Sequence, residues 1–241
     1  MSPTRESGKS ELRERVWSAL DAASAVKDDT AHDRIPDFRG AEAAARRLSE
    51  LPVWRSAGVV KAVPDTAQEP VRALALDQGK LLYMAVPRLA EQAPFYVLDP
   101  AKLTVPPAVA ANRHQVRNLT TAVDVDALAP VDVIVLGTVA VDRTGARIGK
   151  GAGYSDLEVA LLTEAGLISE KTVIVTTVHQ LQVVDEVPTE AHDVRVDLIV
   201  TPDEVITCPG PRVPARIHWE TLPGEKIAAI PALARRRARQ G

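Results

Sequence analysis

At 241 residues and 46% hydrophobic content, the chain can fill one sizeable core and stays within the range of a single α/β domain. A formal charge of −3 and an aromatic content of 3% exclude a surface organised around nucleic acid, since neither a basic footprint nor a stacking platform is available. One cysteine, Cys208, leaves no internal disulfide, and no signal peptide or apolar run of the roughly 20 residues a spanning helix needs is visible, so a cytoplasmic protein without membrane contact is expected.

Residues 7–25 are expected to form a helix, because Leu12, Val16, Ala19, Leu20 and Ala23 recur along one helical face. Lys9 and Arg13, four apart, project from one side of it. Residues 26–39 have loop composition, and 41–51, rich in alanine and arginine, read as a helix stopped by Pro52. A strand over 57–63, a helix over 68–78 ending at Gly79 and a strand over 81–86 follow. This strand-helix-strand rhythm argues for parallel pairing with right-handed crossovers. Asp65, beside Pro64, reads as a turn residue. Arg88 closes the strand over 81–86, at the end where open α/β sheets bind ligands, and reads equally as a surface arginine. A strand over 95–98, a proline-bearing connection over 100–112 and a short edge strand within 116–125 are weaker expectations.

The central stretch, 132–158, reads DVIVLGTVAVDRTGARIGKGAGYSDLE. Residues 133–141 are almost uninterruptedly apolar, as expected of one strand buried on both faces. Gly149, Gly151 and Gly153, with Arg147 and Lys150, then lead into a helix that begins at Tyr154 and is capped by Gly166. Glycines allow close backbone approach, and helix N-terminal amides attract an anion, so the order strand, glycine loop, helix suits a phosphate. Asp156 is a carboxylate suited to a hard cation that bridges phosphates. The alternative is a flexible surface turn closed by a helix cap. The spacing is neither G-x-x-x-x-G-K-[ST] nor G-x-G-x-x-G, so neither nucleotide fingerprint applies.

Residues 171–178 are β-branched and read as a buried strand ended by His179, a position where a structural hydrogen-bonding role is commoner than catalysis. His192 and Asp193 precede a strand over 196–200, within which Asp197 has a fold-stabilising reading. Beyond Thr201 come turn residues around Cys208, the aromatic segment His218-Trp219-Glu220, and the run from Arg235 to Arg239, which reads as a solvated tail rather than a nucleic-acid contact.

R-I-G-K-G-A-G-Y-S-D, residues 147–156, resembles the R-x-G-x-G-x-G-Y-Y-D signature of the 5-formyltetrahydrofolate cyclo-ligase family, the methenyltetrahydrofolate synthetases. Three further stretches resemble that family in the same order: KSELR at 9–13, GKLLYMAVPR at 79–88, and EVPTEAHDVRVDLIVT at 186–201. The I-P-D-F-R-G-A opening at 35–41 and the wording G-K-G-A-G-Y-S-D-L-E are closer to the methenyltetrahydrofolate synthetase domain-containing branch. The resemblance covers the chain to about Pro202 and implies a single three-layer α/β domain with a mainly parallel sheet over 1–202, with 203–241 as a C-terminal extension packed on it or trailing from it.

The resemblance also implies an activity: ATP- and magnesium-dependent conversion of 5-formyltetrahydrofolate to 5,10-methenyltetrahydrofolate, through γ-phosphoryl transfer to the formyl oxygen and ring attack by N10. In that reading Lys150 and Tyr154 are catalytic, and Lys9, Arg13, Arg147, Gly149, Lys150, Gly151, Gly153 and Tyr154 hold ATP. Asp65, Gly151, Gly153 and Tyr154 meet the reduced folate, and Asp156 with Asp193 holds Mg2+. Three positions depart from the family pattern. Ser155 stands for a tyrosine, Leu157 for an arginine, and Asp65 for the glutamate that binds the formyl-bearing nitrogen. Two other readings therefore stand beside the first: a nucleotide- or folate-binding module that does not turn over, and a related enzyme acting on another small heterocycle.

Overall fold

The computed structural model describes residues 3–239. In chain order the elements are α1 (Pro3–Ala22), α2 (Ala41–Ser49), α3 (Pro52–Ser56), β1 (Val59–Ala62), α4 (Glu69–Asp77), β2 (Leu81–Ala85), β3 (Phe95–Leu98), α5 (Pro107–Ala110), α6 (Val116–Leu119) and β4 (Ala122–Val123). There follow β5 (Val133–Leu136), β6 (Ala140–Asp142), β7 (Arg147–Ile148), α7 (Tyr154–Glu164), β8 (Val173–Thr177), β9 (Val183–Val184), β10 (Leu198–Val200), β11 (Val205–Thr207), α8 (Gly224–Ala229) and α9 (Pro231–Ala238).

The main sheet has the order β11-β10-β8-β5-β1-β2-β3-β4. Its centre, from β10 to β2, is parallel, and antiparallel β11, β3 and β4 close the edges. The mainly parallel sheet expected from the strand-helix rhythm is present. Its layering follows from strand periodicity. Along β5, Val133 and Val135 enter one buried cluster with α2, α4, α5 and α6, while Ile134 and Leu136 enter the opposite cluster with α7 and α9. Helices thus cover both faces, as a parallel sheet requires.

The apolar run 133–141 is two strands, not one. β5 ends at Leu136, and Gly137-Thr138-Val139 turns the chain into β6, which belongs to a separate sheet of order β7-β6-β9. An apolar run cannot show a change of sheet when both strands are buried. Leu12, Val16, Trp17 and Leu20 of α1 pack on this small sheet through Val139, Ala140, Ala146 and Ile148. Within 116–125 only Ala122–Val123 is strand, and Val116–Leu119 is helical.

The C-terminal arginines are not a solvated tail. Arg235 pairs with Asp124, and Arg236 and Arg239 pair with Asp126. Ile230, Ala232 and Leu233 are buried in the cluster around α7. Arg237 stands 5.4 Å over the ring of Trp219, which also packs on that cluster. No helix among the described residues is long and apolar enough to cross a membrane.

Candidate functional site

Within the main sheet, β1 is followed along the chain by its neighbour β2, whereas the next strand after β5 is β8, on its other side. The strand order therefore reverses between β1 and β5. In open α/β sheets such a switch point, at the carboxyl ends of the strands, is where the crevice for a ligand forms. Asp65 follows β1 and Gly137 follows β5, and the two meet there: a Cβ on Gly137 would lie 2.6 Å from Asp65 Oδ2. Burial raises the Asp65 pKa, against the pull of Lys150 and Arg72. Burial disfavours the charged form of a carboxylate, so the ionised side chain is costly to hold here.

Arg147 lies in β7, almost wholly buried. Its Nη2 donates to Asp156 Oδ1 at 2.8 Å and its Nη1 to the Gly137 carbonyl at 3.4 Å, while buried Nε has no hydrogen-bond partner. Asp156 Oδ1 also accepts from the Val194 amide at 3.0 Å. α7 begins immediately after Gly153, whose φ of 67° is left-handed, as is that of Gly151 at 100°. Both angles favour glycine.

The α1 residues reach this loop. Arg13 donates from Nε to the Gly149 carbonyl at 2.9 Å, and a Cβ on Gly151 would come within 3.4 Å of its Cζ. Lys9, four residues earlier, donates to Asp193 Oδ2 at 2.6 Å and Glu190 Oε2 at 3.0 Å. Burial disfavours its charge, yet the hydrogen bonds to the two carboxylates carry its pKa above the ordinary lysine value. Lys150 is exposed, whereas Tyr154 is half-buried against the α7 core cluster.

Asp193 Oδ2 accepts from the Glu190 amide as well as from Lys9. Its Oδ1 lies 3.7 Å from His192 Nε2. Carboxylate oxygens such as these are donors that suit a hard cation retaining much of its water. Glu190, His192 and Asp193 also bring one ligand atom each to within 4.8 Å of one another.

Several further residues define the site without having been legible as such. Lys61 of β1, fully buried, forms an ion pair with Glu158 of α7, the helix that follows the loop. Burial raises the Glu158 pKa, opposed by Lys61 and reinforced by Asp65 and Asp156. Lys226 of α8 donates to the Ala152 carbonyl at 2.7 Å and lies 5.1 Å over the Tyr154 ring. Burial lowers its pKa against the attraction of Asp156. Leu157, where the family signature has an arginine, faces inward and packs with Leu161 in the core.

Of the other positions singled out in the sequence, His179 and Asp197 make local structural hydrogen bonds. His179 caps a short turn, its Nδ1 accepting from the Leu181 amide. Asp197 Oδ2 accepts from the Ile174 amide and pairs with Arg212. Arg88 is exposed with left-handed backbone, followed by Leu89, also left-handed and fully buried. Burial pushes the Cys208 thiol up to about 11, which disfavours the reactive thiolate at neutral pH.

A profile of the 5-formyltetrahydrofolate cyclo-ligase family matches residues 5–202. A methenyltetrahydrofolate synthase domain-containing protein of Bos taurus is 37% identical over 97% of this chain and 63% of its own length. Its Homo sapiens counterpart is 37% identical over 96% of this chain and 62% of its own length. The chain therefore spans a little under two thirds of those curated relatives. The NMR structure of Aquifex aeolicus 5,10-methenyltetrahydrofolate synthetase superposes with a TM-score of 0.54 at 23% identity, over 89% of this chain and 99% of that one, and shares its fold.

Proposed function

The chain belongs to the 5-formyltetrahydrofolate cyclo-ligase family, and on that footing we propose that it closes 5-formyltetrahydrofolate to 5,10-methenyltetrahydrofolate at the expense of ATP. The observation that carries this reading is the approach of Arg13 and Arg147 to a glycine loop that itself carries Lys150 at the start of α7, beside the switch point where Asp65 meets Gly137.

The reaction needs a poor leaving group made good. The formyl oxygen attacks the γ-phosphorus, its bond to ADP breaks, and the substrate becomes an iminium phosphate. N10 then forms a bond to the formyl carbon, the carbon–oxygen bond breaks, and phosphate leaves with that electron pair and with the N10 proton. Little covalent work falls to the protein; it aligns two ligands and stabilises charge. Arg147 suits the second task, since its buried, unpartnered Nε is a donor that otherwise costs about 1–3 kcal/mol to leave unmade. Lys150 is free to follow the transferring phosphoryl group, and Tyr154 lines the side on which the pterin would lie. The loop amides and Lys9 complete the nucleotide contacts. Asp156 and Asp193 would hold Mg2+, and the ion would supply neutralisation of phosphate charge.

A second reading, the same chemistry on another heterocycle, is favoured by one observation: Asp65 is a methylene shorter than the family's glutamate and is held against Gly137. The test is the absorbance of methenyltetrahydrofolate after mixing protein, Mg2+, ATP and 5-formyltetrahydrofolate, with Lys150→Ala and Asp156→Ala as controls. An ATP-dependent rise, reduced at least about 100-fold in both variants, is expected where charge on the phosphoryl group is lost. No rise, with ATP bound by calorimetry, would reject this substrate and leave the altered-substrate enzyme or the non-catalytic module.

A further inference from the structure

We propose that Lys226 is an anion-binding residue of the glycine-loop site, supplied by the C-terminal segment to the phosphates of a bound polyphosphate. The proposal rests on the nucleotide reading of the loop given above. Lys226 lies outside residues 5–202, the part of the chain that the family profile matches. It nevertheless reaches into the signature loop: its Nζ is 2.7 Å from the Ala152 carbonyl, 5.1 Å from the Tyr154 ring centroid, and would be 3.3 Å from a Cβ on Gly153.

Three consecutive loop residues therefore surround one ammonium group. That group has three N–H donors, and Ala152 takes one of them. The loop is bracketed on its other flank by Arg13, which engages the Gly149 carbonyl. The carbonyls of Gly149 and Ala152 are thus each engaged by one of the two flanking cations, which places both positive charges at the loop. A lysine serving only as a tether would leave its remaining donors idle in a half-buried place; a phosphate oxygen satisfies them with charge-assisted hydrogen bonds.

Calorimetry of inorganic tripolyphosphate and of ATP binding to the full chain, at two salt concentrations, tests this with Lys226→Met and Lys226→Arg. For Lys226→Met, affinity for both ligands is expected to fall about tenfold, with a shallower salt dependence, and Lys226→Arg to recover most of the loss. A merely structural lysine would change thermal stability and leave the salt dependence alone. Should Lys226→Met not fold, acetylation of the wild-type protein followed by mass spectrometry reads the same contact: tripolyphosphate is expected to protect Lys226 and not exposed Lys171. Unchanged affinity and salt dependence in Lys226→Met, or unprotected Lys226 in a chain that binds tripolyphosphate, overturns the assignment and leaves the nucleotide reading intact. A wild-type chain that binds neither ligand rejects the nucleotide reading and Lys226 with it.

Discussion

Asp65 shows how a single carboxylate can work against the fold that holds it. It stands at the switch point, close enough to Gly137 that even an alanine there would meet its Oδ2 at 2.6 Å and Ile35 at 3.2 Å. Burial raises its pKa, and Lys150, Arg72 and Arg113 only partly offset this. A carboxylate whose folded pKa is raised gives stability that is fully present below the unfolded value, near 3.8, and lost as pH rises through the folded value. At neutral pH the ionised form is therefore a net burden. Asp65→Asn should raise the melting temperature at pH 8 relative to wild type, lose that advantage at pH 4, and lower turnover of the formyl folate. Thermal melts at the two pH values check the first part. A melting temperature unchanged or lowered at pH 8 would show that the charge is paid for by contacts other than substrate.

At the scale of elements, the tie between β1 and α7 matters most, because it fixes the helix start that carries the loop. Lys61 and Glu158 are both buried and form an ion pair with each other. Breaking such a pair leaves an uncompensated charge, whereas replacing both partners with apolar groups of similar size is often neutral. Glu158→Leu alone is expected to cost about 3–5 kcal/mol in urea unfolding, and Lys61→Met with Glu158→Leu to regain most of it. If the double variant is as unstable as the single one, the pair is not the origin of the loss. Full apolar replacement should nevertheless lower activity, since the electrostatic link of Glu158 to Asp65 and Asp156 disappears.

The same elements show what the sequence could reveal. The glycine loop, Arg147, Asp156 and the Lys9–Arg13 spacing were legible because each depends on residues close in sequence. Lys61–Glu158 was not: its partners are 97 residues apart, and a lysine within a short apolar strand carries no sign of where its side chain ends. The division of 133–141 into β5 and β6 was hidden by uniform burial. Lys226 was hidden because α8 is six residues long and follows a proline-rich connection with no periodicity to place it. Nor does position in a signature reveal which face of α7 a residue occupies: Leu157, where the family has an arginine, faces the core.

For the whole molecule, the question is how the layer formed by α1 and the small sheet stays on the body that holds the switch point. Apolar packing supplies most of it, through Leu12, Val16, Trp17 and Leu20. The charged latch is Lys9 with Glu190 and Asp193, flanked by His192 at 3.8 Å and 3.7 Å from those carboxylates. The hydrogen bond from Lys9 is the main cause that lowers the Glu190 pKa, so this contribution is present above about its unfolded value of 4.5 and lost as pH falls through the folded one. The raised pKa of Lys9 gives a contribution present below 10.5 and lost as pH rises through the folded value. Docking of α1 should therefore be flat across neutral pH and weaken at both extremes. Hydrogen exchange of the α1 amides measures this directly, with the α7 amides as the internal reference. In Lys9→Met the alkaline limb should vanish, and the two carboxylates, now without their cation, should make α1 less protected as pH rises from 4 to 7. An α1 protection profile that Lys9→Met leaves unchanged would mean that packing alone holds the layer, and that Lys9 is free to serve the nucleotide from the outset.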